Sequence, residues 1–281
     1  MKPSLSDLPN NVLKDTTKKQ IPSNISNMIT KTLPSLLAAL ALLAPAASAE
    51  IKVKSGETIA FMGDSITQAG NRGNGYINLV LKGLKANELE VKKIPAGKSG
   101  NKSSDMLRRV DQQVISKKPE WMTLSCGVND VWHFKLILGN RTFEGVGIED
   151  YKKNITEIID KCQKADIKVM VLTSTMIGED ASKELNQDMI PYNEFLREIA
   201  KDKGCLLADL NADMQAQLKT IADVKGKPGN FGKFFYGGDL KNKLTSDGCH
   251  MNPEGNKMMA RGILRAFGMT DDQIAKAGKA W

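Results

Sequence analysis

Thr58-Ile59-Ala60-Phe61-Met62-Gly63-Asp64-Ser65-Ile66-Thr67 is the stretch that decides the fold. Its first five residues are a short apolar and β-branched run closed by a glycine, and they read as a strand. Gly63-Asp64 then turns the chain and leaves Ser65 at the carboxyl end of that strand. In open α/β sheets this is the edge where ligands sit. A serine directly after Gly-Asp on a tight turn presents its hydroxyl and its backbone N–H outward. Taken alone the tripeptide is a weak signal, because Gly, Asp and Ser also build ordinary turns and helix caps.

Working outward, four more short runs read as strands: Val91 to Pro95, Trp121 to Ser125, Val169 to Ser174 and Cys205 to Ala208. Between the runs, Tyr76 to Asn87, Asp105 to Ser116, Glu149 to Ala165 and Met189 to Lys203 carry apolar residues at three-to-four spacing and read as amphipathic helices. A last helix starts after Asn252, a capping residue, with Pro253 at the first helical position, and runs to about Phe267. Strands alternating with helices predict βα units on a parallel sheet, here of about five strands, with helices on both faces. Two segments break the alternation and are expected as surface loops: Lys135 to Gly147 and the glycine-rich Lys225 to Lys243. The second carries Phe231, Phe234, Phe235 and Tyr236, which suit a lid or sugar platform equally well as an inert loop packed on its own rings.

Three further blocks follow in order. Pro95-Ala96-Gly97-Lys98-Ser99-Gly100-Asn101-Lys102-Ser103 follows the second strand, Ser125-Cys126-Gly127-Val128-Asn129-Asp130 follows the third, and Ser246-Asp247-Gly248-Cys249-His250 precedes the last helix. With Gly63-Asp64-Ser65 this constellation resembles the SGNH/GDSL hydrolases, whose four blocks contribute Ser, Gly, Asn and His. The resemblance spans nearly all of the chain from Glu50 onward and is specific in combination. It implies a three-layer α/β/α sandwich, flavodoxin-like, and a serine esterase in which Ser65 is the nucleophile, His250 the general base and Asp247 its orienting partner. It also implies an oxyanion hole made by the Ser65 and Gly100 backbone N–H groups and the Asn129 side chain.

The residue chemistry agrees. Ester cleavage needs a hydroxyl activated by a base, a carboxylate that fixes the imidazole tautomer, and donors aimed at the developing oxyanion. Glycine at 100 lets backbone approach a substrate closely, and an asparagine amide donates without titrating. The chain has two histidines, His133 and His250, so a histidine-dependent hydrolase has two choices of base. Asp247 lies three residues before His250, within reach across one turn. His133 follows Asp130-Val131-Trp132 and is expected as a polar loop residue or substrate contact. Asp64 and Asp130 each follow a glycine turn and are expected to brace backbone N–H groups. Trp132 and Phe134 are candidate substrate-binding residues, with core closure as the alternative. Lys98, Lys102, Lys135 and Arg141 are read as ordinary surface charge, with a ring around the mouth favouring anionic glycans as the alternative. No Gly-x-Ser-x-Gly elbow, His-Glu-x-x-His or phosphate loop occurs, and two histidines leave little for a catalytic zinc; neither metal nor organic cofactor is expected.

Of the formal charge of +8 over 281 residues, five lysines against two aspartates before Glu50 account for +3, which leaves +5 for the rest. That charge is scattered among acids rather than gathered into a basic stripe, so no nucleic-acid partner is expected. Leu33 to Leu43 is nearly all Leu and Ala, follows Lys31 and precedes Ala47-Ser48-Ala49, the pattern of a cleaved signal peptide over residues 1–49, with Met28 as an alternative start. The run is short for a membrane span. The expectation is a single catalytic domain over residues 50–281, secreted or periplasmic after cleavage near Ala49, with no stable membrane insertion and an undetermined oligomeric state. Cys126, Cys162, Cys205 and Cys249 form no Cys-x-x-Cys pair, and disulfides or buried thiols are both open, with Cys126 and Cys249 the first pair to examine. The family includes carbohydrate deacetylases, lysophospholipases, thioesterases and arylesterases. An exported chain without a membrane-binding amphipathic stretch favours a glycan O-acetyl ester as substrate, with a lysophospholipase or short-chain carboxylesterase or thioesterase as the alternative. An inactive glycan-binding module of the same fold is the alternative from outside the enzymes.

Overall fold

β1 (Thr58–Gly63) forms as the sequence predicts, with every residue after Thr58 buried. In the computed structural model, which describes residues 50–135, 137–138, 141–222 and 243–281, β1 is the second strand of a five-stranded parallel sheet. β2 (Lys92–Gly97) flanks it on one side and β3 (Trp121–Ser125) on the other, followed by β6 (Lys168–Leu172) and β7 (Leu206–Ala208). Two short strands, β4 (Ile137–Leu138) and β5 (Arg141–Thr142), pair antiparallel outside this sheet, within a segment that the sequence predicts as plain loop. The order β2-β1-β3-β6-β7 is the flavodoxin-like arrangement. The chain steps from β1 outward to β2 and then back past β1 to β3, so the direction of travel reverses at β1. Right-handed crossovers therefore send α2 (Tyr76–Ala86) and α3 (Ser103–Gln113) to opposite faces.

α2 is joined on its face by α8 (Leu210–Thr220), α9 (Pro253–Ala266) and α10 (Asp271–Gly278), while α3 packs with α5 (Ile148–Lys164) and α5 with α7 (Ile190–Asp202) on the other. α2 buries Tyr76, Ile77, Leu79, Val80, Gly83 and Leu84, the spacing of one helical stripe. Gly83 is where α9 crosses: a Cβ there would stand 2.7 Å from a Leu264 methyl. α9 begins as expected, with Pro253 in its first turn and the Asn252 side chain accepting the Gly255 N–H at 3.0 Å. Each expected helix is present within a few residues of its predicted ends. Among the described residues three short helices lie outside the periodic pattern: α1 (Ser65–Gly70), α4 (Val128–Trp132) and α6 (Glu184–Asp188) span too few residues to show a period. α8 escapes the pattern because it buries only Leu210, Asn211 and Met214. The proposed leader over 1–49 and all of the Lys225 to Lys243 loop except its last residue lie outside the described residues.

Candidate active site

The carboxyl ends of β1, β2 and β3 converge where the strand order reverses, the crevice in which such sheets place their sites. The register sets Gly63 beside Gly97 and Met62 beside Leu124. At Gly63 a Cβ would stand 2.0 Å from Thr67 Oγ1, so only glycine lets α1 start this close to the strand. Asp64 caps α1 by accepting the Ile66 N–H at 2.9 Å, which holds Ser65 as the first residue of the helix, half-buried.

The Ser246–His250 block reaches this point from the opposite end of the chain. Thr245 and Met251 form an antiparallel bridge, Asn252 N donates to Leu244 O at 3.0 Å, and Ser246 N donates to His250 O at 2.9 Å, closing a tight loop. Inside it Asp247 Oδ1 accepts the N–H groups of Cys249 at 2.9 Å and His250 at 2.8 Å, an Asx-type turn that fixes the carboxylate. Asp247 Oδ2 then lies 2.7 Å from His250 Nδ1, and His250 Nε2 lies 2.9 Å from Ser65 Oγ. Serine, imidazole and carboxylate thus form one hydrogen-bonded line. Burial alone would raise the Asp247 carboxyl, but the His250 ring and the two N–H groups hold it below the usual carboxylate range. The bond to Asp247 holds the His250 imidazole above its ordinary value despite burial, with the charges of Asp247 and Asp64 adding to it.

Gly100 sits in the left-handed region at φ +74°, in a loop fastened to α1 and β1: Lys98 N donates to Gly63 O at 3.0 Å and Ser99 N to Gln68 Oε1 at 3.0 Å. Asn129, buried in the first turn of α4, donates from Nδ2 to Asn101 O at 3.0 Å, directly tying the third block to the second. The same amide nitrogen lies 3.5 Å from Asp64 Oδ2, at the long limit of a hydrogen bond. Gly127 turns the chain into α4 at φ +135°, and a Cβ there would stand 2.3 Å from Ser174 Oγ.

Asp64 and Asp130 both brace backbone as expected. Asp130 Oδ1 accepts Ser103 N at 2.9 Å and Ser103 Oγ at 2.6 Å, anchoring the start of α3, and the Cys126 thiol donates to Oδ2 at 3.5 Å. Burial pushes each of the two carboxyls up to about 6, against the hydrogen bonds they accept. Of the two roles expected for His133, polar loop residue or substrate contact, the first does not match its surroundings. It is buried, its ring 5.2 Å from Trp132 and 5.7 Å from Phe143, and burial lowers its imidazole. Two flanking aromatics offer that imidazole more contact than water does. Trp132 is half-buried against the core, whereas Phe134 is 53% exposed and lies over the Gly145 backbone. The Ser65–His250–Asp247 line passes through neither. All four cysteines are free thiols, and Lys102 spends its ammonium on Glu144 O at 2.6 Å. Among the described residues no three His, Cys, Asp or Glu side chains are grouped to hold a metal ion.

The model of the GDSL-like lipase/acylhydrolase family matches residues 61–258, a span that holds all four blocks. The chain belongs to this family. An acetylxylan esterase of Geobacillus stearothermophilus is 26% identical over 231 residues, 78% of this chain and 97% of the relative. The crystal structure of Axe2, an acetylxylan esterase from the same organism, superposes with a TM-score of 0.65 at 25% identity over 78% of this chain and 97% of that one. The acetyl xylan esterase AlAXEase superposes with a TM-score of 0.60 at 34% identity, covering 74% and 98%. As a member of the GDSL-like family the chain is a carboxylic ester hydrolase.

Two residues that support this GDSL-type site escape a reading of the sequence. Arg109 on α3 is buried and donates to Gly63 O and Ala96 O, both at 2.7 Å, and to Asn101 Oδ1 at 2.6 Å, so one guanidinium joins the ends of β1 and β2 to the Gly100 loop. Glu179, after β6, binds the backbone ahead of the Asp247 block. Neither lies in a recognisable motif, and only the partners' positions in space reveal them.

Proposed function

We propose that the chain is a carbohydrate O-acetylesterase working by two-step acyl transfer, with Ser65 as nucleophile, His250 as general base and Asp247 as its orienting carboxylate. The observation that carries this reading is the continuous hydrogen-bonded line from Ser65 Oγ through His250 to Asp247 at the switch point of the sheet. In the first step His250 Nε2 takes the Ser65 proton as Oγ bonds to the acyl carbon. The tetrahedral oxyanion is received by the Ser65 and Gly100 N–H groups and by the Asn129 N–H that Asp64 holds only loosely. The bond to the sugar oxygen then breaks and His250 returns the proton to the leaving alcohol. In the second step His250 takes a proton from water as the hydroxide adds to the acyl carbon, the bond from that carbon to Ser65 Oγ breaks, His250 returns the proton to Oγ, and acetic acid leaves and ionises.

Acetyl as the acyl group and a xylan-type glycan as the leaving group are supported by the acetylxylan esterases among the relatives, matched over nearly their whole length. Variants of Axe2 described as catalytic mutants replace a serine, an aspartate and a histidine, the last two three positions apart as Asp247 and His250 are here. Export belongs to the same proposal, resting on the Leu33 to Leu43 run and Ala47-Ser48-Ala49. Among the described residues no helix is long and apolar enough to cross a membrane.

The test is acetate release from acetylated xylan beside hydrolysis of p-nitrophenyl acetate, with Ser65→Ala as control. Ser65-dependent release from xylan is the expected result. Turnover of the small ester without release from any acetylated glycan would refute the substrate, and activity retained in Ser65→Ala would refute the mechanism. A folded chain that no serine-reactive fluorophosphonate labels would be a binding module instead.

A further inference from the structure

The loop that carries Asp247 and His250 is held to the rest of the protein by a carboxylate that has no place in the four blocks. Glu179 Oε1 accepts Leu244 N at 2.8 Å, Thr245 N at 2.7 Å and Thr245 Oγ1 at 2.8 Å, and its Oε2 accepts Lys243 N at 2.8 Å. Three consecutive backbone N–H groups and a hydroxyl thus converge on one side chain, the nest that an anion fills best. One residue earlier, Gly178 N donates to Gly248 O at 2.6 Å, between Asp247 and His250. Gly178 and Gly248 are both left-handed, at φ +75° and +95°, so each strand of chain turns to face the other. The gripping segment is itself fixed from behind. Buried Asn186 on α6 accepts Ile177 N at 2.9 Å and donates to Ile177 O and Asp180 O, both at 2.8 Å. A step further back, Asn193 on α7 exchanges two bonds with Ser174.

We infer that Glu179 is a positioning residue of the hydrolase, clamping Lys243–Thr245 so that His250 and Asp247 are delivered to Ser65 in register. The inference rests on the proposed triad. Its physical basis is that a charged carboxylate offers acceptor sites for all four donors at once, in charge-assisted bonds stronger than neutral ones. A glutamine keeps one acceptor oxygen and sets its NH₂ against an N–H, losing at least one bond and adding a donor–donor contact. An aspartate is one methylene too short to reach.

The test compares Glu179→Ala and Glu179→Gln with wild type and with His250→Ala, on p-nitrophenyl acetate. Misplacement of the base by about 1 Å lowers kcat by about 100-fold in Glu179→Ala with KM nearly unchanged, and by less in Glu179→Gln. Because the chain holds only two histidines, ¹⁵N-histidine spectra resolve His250 from His133. The His250 titration is expected to fall toward the ordinary imidazole value as its contact with Asp247 loosens, and fluorophosphonate labelling of Ser65 slows in parallel. A merely structural role would lower the melting temperature and leave the folded fraction with wild-type kcat and an unmoved His250 titration, which overturns the inference. If Glu179→Ala does not fold, the same readouts on Glu179→Gln decide. His250→Ala separates the two levels: if it stays active the triad itself is wrong, and if it is inactive while the Glu179 variants match wild type only the clamp is wrong.

Discussion

Replacing Asp247 with asparagine removes a charge while keeping the shape of the side chain, and the structure dictates where each atom of the amide goes. The two backbone N–H groups of Cys249 and His250 already converge on Oδ1, so the oxygen of the new amide takes that place and its NH₂ faces His250 Nδ1. An imidazole facing a donor at Nδ1 must carry its proton on Nε2, which then points at Ser65 Oγ and can no longer accept its proton. Loss of the correct tautomer is worth about 10⁴-fold in kcat where the same arrangement has been altered in serine proteases, or about 5 kcal/mol of transition-state stabilisation. The pH profile should move as well. With His250 as the proposed base, activity needs its neutral form, so the rate should fall as pH drops through its pKa, and in the wild type that limb should lie above the ordinary imidazole value because of Asp247. Without the carboxylate the lowering effect of burial remains, and the acid limb shifts to lower pH as the plateau falls. The assay is kcat/KM for p-nitrophenyl acetate from acid to mildly alkaline pH. A loss under about tenfold, or an unmoved acid limb, would refute the assignment of Asp247.

Asn129→Ala should cost about 10²–10³-fold in kcat with KM little changed, measured on the same ester, as expected for loss of one oxyanion donor. Gly127→Ala places a Cβ 2.3 Å from Ser174 Oγ on a backbone at φ +135°, and should lower unfolding stability in urea by about 2–4 kcal/mol. Acidification should separate activity from stability. Asp64 and Asp130 titrate in the folded protein at about 6, above their unfolded values, so their contribution to stability is present at low pH and lost as pH rises through about 6. Activity at about pH 5 should therefore collapse through protonation of His250 while these two groups favour the folded state, and calorimetry should find the melting temperature no lower than at neutrality.

The strands, the main helices and the four blocks are legible in the sequence because each rests on local signals: apolar runs bounded by glycine, three-to-four spacing, and turn residues at fixed offsets. The spacing of Asp247 and His250 is legible as one turn's reach, although it gains weight only beside the other three blocks, and the bond between the two side chains is present in the structure. What cannot be read is whatever depends on partners far away in sequence. Arg109 follows Asp105 and Arg108 on α3 and looks like one more surface charge, yet its acceptors include a carbonyl 46 residues earlier. Glu179 stands in a polar run with Asp180 and Ser182 but bonds to backbone 64 to 66 residues later. His133 reads as polar because its type is polar, and the two aromatics that bury it decide otherwise.

The same device recurs around the site. Asp64, Asp130, Glu179 and Asp247 each point a carboxylate at backbone N–H groups, and each thereby fixes a stretch of chain beside the site: the start of α1, the start of α3, the approach to Thr245 and the turn to His250. A carboxylate suits this task because it accepts several N–H groups at once and donates nothing, whereas a backbone carbonyl would have to be brought in by a further segment of chain. The consequence is that all four acids hold backbone, one of them also contacts an imidazole, and residue type does not distinguish them. Contact does: of the four, Asp247 is the one hydrogen-bonded to the imidazole, and that partner helps hold its carboxyl below the usual range, while burial without such a partner lifts Asp64 and Asp130.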